Sequence, residues 1–262
     1  MGRLRVCGLE ITYEQVGQGP LLIPVHKAAD DARSWRPQLS GLSDAFTVVA
    51  WHEPGAGRSS DLPRDFSLED YAHCLAALVE VLDLGPAHIC GLSWGGTLSL
   101  ELYRRHPEAV ATLILADTYA GWKGSLSADE LRARVEGVRQ MLAAPAETLD
   151  PTFPGLFAGA PPAQYAPLLA DIAADVRRDT LRIQLGLMAE ADQRDVLATI
   201  AVPTLLIWGE QDARSPLTVA RQFAAAIPGS ELVLIPDCGH VSNLQRPEEF
   251  NRAVREFCRA HA

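Results

Sequence analysis

The chain has 262 residues, of which 48% are hydrophobic and 21% charged, and its net charge is −10 at pH 7. This size and composition are typical of one globular α/β domain, and the acidic balance argues against nucleic acid or an anionic membrane as a partner. No apolar run approaches the ~20 residues of a membrane-spanning helix, and the first residues lack a signal-peptide pattern, so a cytoplasmic location is expected.

The first half of the chain alternates short apolar runs with helical patterns, which predicts a mainly parallel sheet. Strands are predicted at 3–6 and 11–16, as an opening hairpin, and at 21–25, 46–51, 87–92 and 112–116. Helices are predicted at 68–82 and 94–105. Ser67 and Asp70 have the spacing of a capping pair at the start of the first of these helices.

The alternation stops between residue 121 and about residue 200. Two helical stretches are predicted there, at 128–142 and at 163–190, the second either continuous or broken, and they flank a Pro/Gly-rich segment. Strand and helix patterns resume at 203–208, 217–227, 231–235 and 247–261. The chain is therefore predicted to consist of a core (1–120), a helical lid (121–200) and the rest of the core (201–262), because long insertions of this kind are usually functional.

A serine lies between a predicted strand and a predicted helix, in the sequence Gly91-Leu92-Ser93-Trp94-Gly95. This G-x-S-x-G pattern is typical of a sharp strand-to-helix turn that holds a serine Oγ clear of the sheet. The positive end of the following helix and the Trp94 N–H can stabilise a developing oxyanion. Ser93 is therefore the candidate nucleophile.

A serine nucleophile needs a base, and the base needs an orienting group. Asp212 and His240 each follow a predicted strand, in the chain order Ser, acid, His. Because the carboxyl ends of parallel strands meet at one sheet edge, both side chains are expected near Ser93. Asp117, which follows the strand at 112–116, is the alternative acid.

The chain resembles the α/β-hydrolases in the segments GQGPLLIPVH, PGAGRSS, GLSWGG and VPTLLIWGEQD and in the Gly-His near its end. It is most similar to 3-oxoadipate enol-lactonase-like and cofactor-free haloperoxidase-like serine esterases. The resemblance implies an eight-stranded, mainly parallel sheet with a helical lid after the sixth strand. It also implies catalytic roles for Ser93, Asp212 and His240, a small-molecule substrate, and neither metal nor cofactor; the oligomeric state stays open.

One departure from the family concerns the loop after the third strand, where relatives usually have His-Gly and this chain has His26-Lys27. The oxyanion hole is expected to consist of the Ala28 and Trp94 N–H groups. Lys27 is interpreted either as a solvated loop lysine or as a cation at the mouth of the pocket. The residues Lys27, Trp122 and Val241 are the candidates for substrate binding.

The predicted reaction is hydrolysis of an ester or lactone through an acyl-enzyme on Ser93. Two alternatives use the same triad for other chemistry, namely hydrolysis of a carbon–carbon bond and perhydrolysis. A third alternative is a ligand sensor with slow turnover, which a turnover number would distinguish from an enzyme.

Overall fold

The structure is a computed structural model that describes residues 1–144 and 154–261. Its strands are β1 (Gly2–Val6), β2 (Leu9–Val16), β3 (Leu21–Val25), β4 (Thr47–Trp51), β5 (Ala87–Leu92), β6 (Val110–Ala116), β7 (Thr204–Gly209) and β8 (Glu231–Ile235). They form one sheet in the order β1-β2-β4-β3-β5-β6-β7-β8. β2 pairs antiparallel with β1 and β4, and all other neighbours are parallel. The predicted eight-stranded, mainly parallel sheet is confirmed.

Helices lie on both faces of this sheet and in one insertion. They are α1 (Arg36–Leu42), α2 (Leu68–Leu82), α3 (Trp94–Arg105), α4 (Trp122–Ser125), α5 (Ala128–Ala143), α6 (Ala166–Ala174), α7 (Arg178–Glu190), α8 (Arg194–Leu197), α9 (Leu217–Ala226), α10 (Ser242–Gln245) and α11 (Pro247–Ala260). The hydrogen bonds of a capping box join Ser67 and Asp70 at the start of α2, as predicted. None of the described helices is long and apolar enough to cross a membrane.

The strands β3, β4, β5 and β7 are buried along their whole length, which explains why they are largely apolar. In β7, Leu206 and Trp208 belong to one hydrophobic cluster, which α2, α3 and α9 cover. Leu205 and Ile207 belong to the opposite cluster, which α1 and α11 cover. Alternate residues of one strand therefore pack against helices on opposite sides of the sheet.

The helices α4 to α8 lie between β6 and β7, where the lid was predicted. The stretch predicted at 163–190 is broken, because α6 ends at Ala174 and α7 begins at Arg178. Part of the predicted Pro/Gly-rich segment lies outside the described residues. Arg177, at the start of α7, donates hydrogen bonds to the Ser59 and Gly57 carbonyls at 2.9 and 2.7 Å. The insertion is thus bound directly to a loop of the core.

Candidate active site

Ser93 occupies the turn between β5 and α3, in a backbone conformation that is rare for a residue with a side chain. Its φ is 55° and its ψ is −115°. The Ser93 N–H donates to the Ala116 carbonyl at 3.0 Å, which holds the turn against β6. Backbone strain of this kind is typical of functional positions. The turn therefore has the geometry that the G-x-S-x-G pattern predicts.

The two glycines of the pattern allow the chain to pack closely around this turn. A Cβ on Gly95 would lie 2.1 Å from the Val25 carbonyl oxygen, and one on Gly91 would lie 2.4 Å from the Gly95 carbonyl oxygen. Either contact would push α3 away from the sheet edge. Both positions consequently require glycine for close approach.

The structure brings Ser93, His240 and Asp212 into one chain of hydrogen bonds. The distance from Ser93 Oγ to His240 Nε2 is 2.8 Å, and that from His240 Nδ1 to Asp212 Oδ2 is also 2.8 Å. His240 and Asp212 are buried, whereas Ser93 retains 8% exposure at the floor of a cavity. The three residues predicted as a triad are thus within reach of one another in the required order.

The Asp212 carboxylate is held in place by the loop that follows β7. Its Oδ1 accepts hydrogen bonds from the Arg214 and Ser215 N–H groups, each at 2.8 Å. Its Oδ2 is left to accept from His240. Because both Asp212 oxygens accept hydrogen bonds, the carboxylate cannot rotate freely, and it fixes the orientation of the His240 ring.

Asp117, the alternative acid, is fully buried but lies among other partners. Its Oδ1 accepts from the Gly209 N–H at 2.8 Å, and its Oδ2 accepts from the Ser242 hydroxyl at 2.5 Å. Burial, with the nearby charge of Asp212, raises the pKa of the Asp117 carboxyl well above its usual range. Asp117 therefore links the ends of β6 and β7 to α10, and Asp212 is the acid that contacts His240.

Burial lowers the pKa of His240 below its usual 6.5, although the adjacent Asp212 carboxylate opposes this shift. A histidine acts as a base only when it is neutral, so kcat/KM is expected to rise with pH through an ionisation below pH 6.5 and then to plateau. A kcat/KM profile from pH 4 to 9 on an ester with a pH-independent leaving group measures this. An acidic limb centred above pH 6.5 would contradict it.

The loop that carries His240 is bound to the helical insertion. The His240 N–H donates to the Leu156 carbonyl at 2.8 Å. The Gln245 side chain accepts from the Gly239 and Ala158 N–H groups at 2.8 and 3.1 Å and donates to the Ala158 carbonyl at 2.9 Å. Residues 154–158 of the insertion therefore help to position His240.

The two N–H groups predicted as an oxyanion hole belong to residues beside Ser93. Trp94 is the first residue of α3, and Ala28 lines the same cavity as Ser93. Within the described ranges, neither N–H donates to another residue. Neither N–H group is thus taken up by a described acceptor, as an oxyanion hole requires.

His26 holds the loop that carries Ala28. The Glu53 N–H donates to His26 Nε2 at 3.2 Å, so this nitrogen is the acceptor and the proton lies on Nδ1. Nδ1 then donates to the Lys27 carbonyl at 2.9 Å. Burial lowers the pKa of His26 to about 4, which keeps the ring neutral. Because the Lys27 carbonyl and the Ala28 N–H share one peptide plane, fixing one orients the other.

The interpretation of Lys27 as a solvated loop lysine is wrong. Lys27 is only 6% exposed, and its Nζ lies 3.1 Å from Asp30 Oδ2. The residue belongs to the lining of the cavity, in agreement with the alternative interpretation. Lys27 also has no positive φ, so the backbone at this position does not need the glycine that relatives carry. Lys27 is buried because the loop after β3 folds back and brings the Lys27 ammonium group to the Asp30 carboxylate.

The cavity above Ser93 has a volume of about 510 Å³, within the range of roughly 300–1,000 Å³ that is usual for small-molecule sites. Trp122 lines it, as predicted. Val241 does not belong to the described lining and is instead buried in the hydrophobic cluster that α1 and α11 cover. The prediction for Val241 is therefore corrected, because the residue after His240 turns into the core.

Three polar residues of the cavity wall were missed by the sequence analysis: Tyr119, Arg134 and Arg214. Arg134 could have been found from the helical pattern of α5. The face of α5 that packs against the core carries Leu131, Val138 and Met141, and Arg134 interrupts it with a charge. Tyr119 and Arg214 follow strands and carry no such signal.

Glu53 is a further buried group close to the site. Its Oε2 accepts hydrogen bonds from Trp94 Nε1 at 2.7 Å and from Gln184 Nε2 at 3.2 Å. Burial raises the pKa of the Glu53 carboxyl well above its usual range. Because Gln184 belongs to α7, Glu53 connects the helical insertion to the residue that follows Ser93.

A serine at a strained strand-to-helix turn, with a histidine and an aspartate from two later loops of a mainly parallel sheet, defines the class of α/β hydrolases. The family model described as alpha/beta hydrolase fold matches residues 20–247, and the chain belongs to this family.

Among the described residues, no group of three His, Cys, Asp or Glu side chains could hold a metal ion.

Several relatives resemble the chain over nearly its whole length. A pimeloyl-[acyl-carrier protein] methyl ester esterase of Chromobacterium violaceum is 29% identical, over 97% of this chain and 100% of the relative. The solved structure of an esterase from Thermogutta terrifontis has a TM-score of 0.84 at 28% identity, with 100% of both chains covered. That of the enol-lactonase from Burkholderia xenovorans has a TM-score of 0.80 at 26% identity, over 98% of this chain and 100% of the other. These relatives confirm the family resemblance and support a hydrolase activity.

Proposed function

We propose that the chain hydrolyses an ester or lactone of a small organic molecule through an acyl-enzyme on Ser93. The observation that carries the proposal is the hydrogen-bonded chain of Ser93, His240 and Asp212 at the floor of the cavity. The esterases and the enol-lactonase among its relatives support the same type of reaction.

In the first half of the reaction, Ser93 Oγ attacks the carbonyl carbon while His240 Nε2 takes the serine proton. The negative charge that forms on the carbonyl oxygen accepts hydrogen bonds from the Ala28 and Trp94 N–H groups. Asp212 stabilises the imidazolium and keeps its Nδ1 proton in place. As the carbon–oxygen bond breaks, His240 gives the proton to the leaving alkoxide, which remains attached to the acyl group if the substrate is a lactone.

In the second half, His240 takes a proton from a water molecule, and the resulting hydroxide attacks the acyl carbon. The tetrahedral intermediate uses the same two N–H groups, and its collapse returns the proton to Ser93 Oγ and releases the acid. We further propose that residues 121–200 act as a lid. The contacts of α7 and of residues 154–158 with the core support this role, because Leu181 and Leu185 of α7 and Leu156 line the cavity that contains Ser93.

The proposal predicts covalent labelling at one residue. A fluorophosphonate reagent is expected to add a single mass to the peptide that contains Ser93, because the neighbouring base makes this hydroxyl a nucleophile. Peptide mass spectrometry of the labelled protein measures this.

The matched control is Ser40→Ala, which removes an exposed hydroxyl that bonds to the Arg36 carbonyl and should label like the wild type. Ser93→Ala should not label. Labelling of another residue, or no labelling of folded wild-type protein, would show that Ser93 is not the nucleophile.

A further inference from the structure

Two guanidinium groups stand in the wall of the cavity that contains Ser93. Arg134 comes from α5, and Arg214 comes from the loop after β7. Arg134 Nη1 donates to Tyr119 Oη at 2.6 Å, and Arg134 Nη2 donates to the Arg214 carbonyl at 2.9 Å. The Arg134 guanidinium also lies over the rings of Tyr119 and Trp122, at 5.4 and 5.3 Å from their centroids. The Arg134 side chain is therefore fixed in place.

The charges of the two groups are not balanced by acids of the described wall. Within the ranges 1–144 and 154–261, no carboxylate oxygen lies within 4.0 Å of either guanidinium, and no Asp or Glu lines the cavity. Other arginines of α5 differ in this respect, since Arg132 pairs with Asp129, and Arg139 pairs with Glu136. Two arginines without an ion-pair partner in the described residues thus line one cavity, and the carboxylates of Asp212 and Glu130 act on them only from a greater distance.

Lys27 also lines the cavity, but it differs from the two arginines because its ammonium group forms an ion pair with the Asp30 carboxylate. The charges of Arg214 and Arg134 both act on His240, where they add to the effect of burial in lowering its pKa. Because both arginines line the cavity that contains Ser93, they can contact a small molecule bound there.

Each guanidinium also keeps N–H groups for a ligand. An arginine has five N–H donors, and the hydrogen bonds above use one from each terminal nitrogen of Arg134. Arg214 donates from Nη1 to the Pro154 carbonyl at 3.2 Å. A planar guanidinium matches a carboxylate, and a cation in a largely apolar cavity is stabilised when an anion pairs with it.

We propose that Arg134 and Arg214 bind a carboxylate of the substrate and thereby position its scissile carbonyl over Ser93. The substrate class is an ester or lactone that carries a free acid group. The apolar wall of Val138, Leu181 and Leu185 contacts the carbon chain that joins the two ends. This inference rests on the proposed hydrolysis at Ser93 and assigns its specificity to two residues outside the triad.

The test compares two esters with acyl chains of equal carbon number, 4-nitrophenyl hydrogen adipate and 4-nitrophenyl hexanoate. The wild type is expected to prefer the acid ester. Arg134→Gln and Arg214→Gln should each reduce the ratio of kcat/KM for the acid ester to that for the neutral ester by about ten- to hundredfold, the value of one charge-assisted hydrogen bond. The preference of the wild type should shrink as the salt concentration rises.

The matched control is Arg132→Gln, which removes an exposed guanidinium from the same helix, away from the cavity, and should keep the wild-type ratio. Equal losses on both esters in the Arg134 and Arg214 variants would overturn the inference. So would a wild type that hydrolyses both esters at the same rate.

A binding measurement separates this inference from the proposed function and does not depend on the folding of the arginine variants. Calorimetry with Ser93→Ala protein and free adipate should show binding that added salt weakens, and hexanoate should bind more weakly than adipate. Absence of adipate binding, in a protein whose wild type labels at Ser93 and hydrolyses the neutral ester, would overturn the inference alone. Adipate binding without any labelling or turnover would overturn the proposed function alone.

Discussion

Replacing Ser93 by alanine should lower kcat by about a millionfold, and His240→Ala should do nearly the same. In the proposed mechanism the nucleophile and its base act in one proton transfer, and Ser93 Oγ and His240 Nε2 are 2.8 Å apart. The double variant is therefore expected to be no worse than either single one. A residual acceleration should remain, because the proposed oxyanion hole of the Ala28 and Trp94 N–H groups is unchanged in these variants.

This expectation is checked by kcat on one activated ester, with Ser40→Ala as the control and with melting temperatures to confirm folding. Losses that multiply in the double variant would show that the two residues act independently. A Ser93→Ala protein that keeps more than about one per cent of wild-type kcat would place the nucleophile elsewhere.

Asp212→Asn should lower kcat by about ten-thousandfold. The Asp212 Oδ1 position accepts from the Arg214 and Ser215 N–H groups, so the amide oxygen of an asparagine must lie there. The amide NH₂ then faces His240 Nδ1 and donates to it. This leaves the ring proton on Nε2, directed at Ser93, where the nitrogen can no longer accept the serine proton.

Asp117→Asn is the matched control, because it changes a second buried carboxyl near His240. Asp117 bonds to Gly209 and Ser242 rather than to His240. An asparagine at this position leaves the contact between Asp212 and His240 in place, so we expect a much smaller loss of kcat and a loss of stability of about 1–3 kcal/mol. Steady-state kinetics and denaturant unfolding measure the two effects. If Asp117→Asn lowered kcat more than Asp212→Asn, the assignment of the acid would be wrong.

The sheet and the proximity of Ser93, Asp212 and His240 could be predicted from the sequence because their determinants are local. Strands that are buried on both faces are continuous apolar runs, and the predicted bounds of β3 and β5 agree with the structure. Ser93, Asp212 and His240 each follow a parallel strand of the sheet, so the parallel arrangement brings them to one edge. The turn at Ser93 could be predicted because it needs glycine at positions 91 and 95, and both glycines are visible in the sequence.

The specificity of the cavity depends on contacts that no local pattern encodes. The sequence left two interpretations of Lys27 open, because its burial depends on how the loop folds over Asp30. Arg134 reaches the cavity only because α5 packs across Tyr119 and Trp122. Val241 was assigned to the pocket from its place beside His240, but the turn into α10 directs it to the core. Tertiary packing decides all three cases.

The contact between His240 and residues 154–158 has a consequence for protein engineering. Insertions at this position are natural targets for domain exchange, because their two ends join neighbouring strands of an intact sheet. Here, the Leu156 carbonyl and the backbone of Ala158 hold the loop of the general base through His240 and Gln245. A chimera that replaces the whole insertion would lose these bonds, whereas one that keeps residues 154–158 would exchange specificity without displacing the histidine.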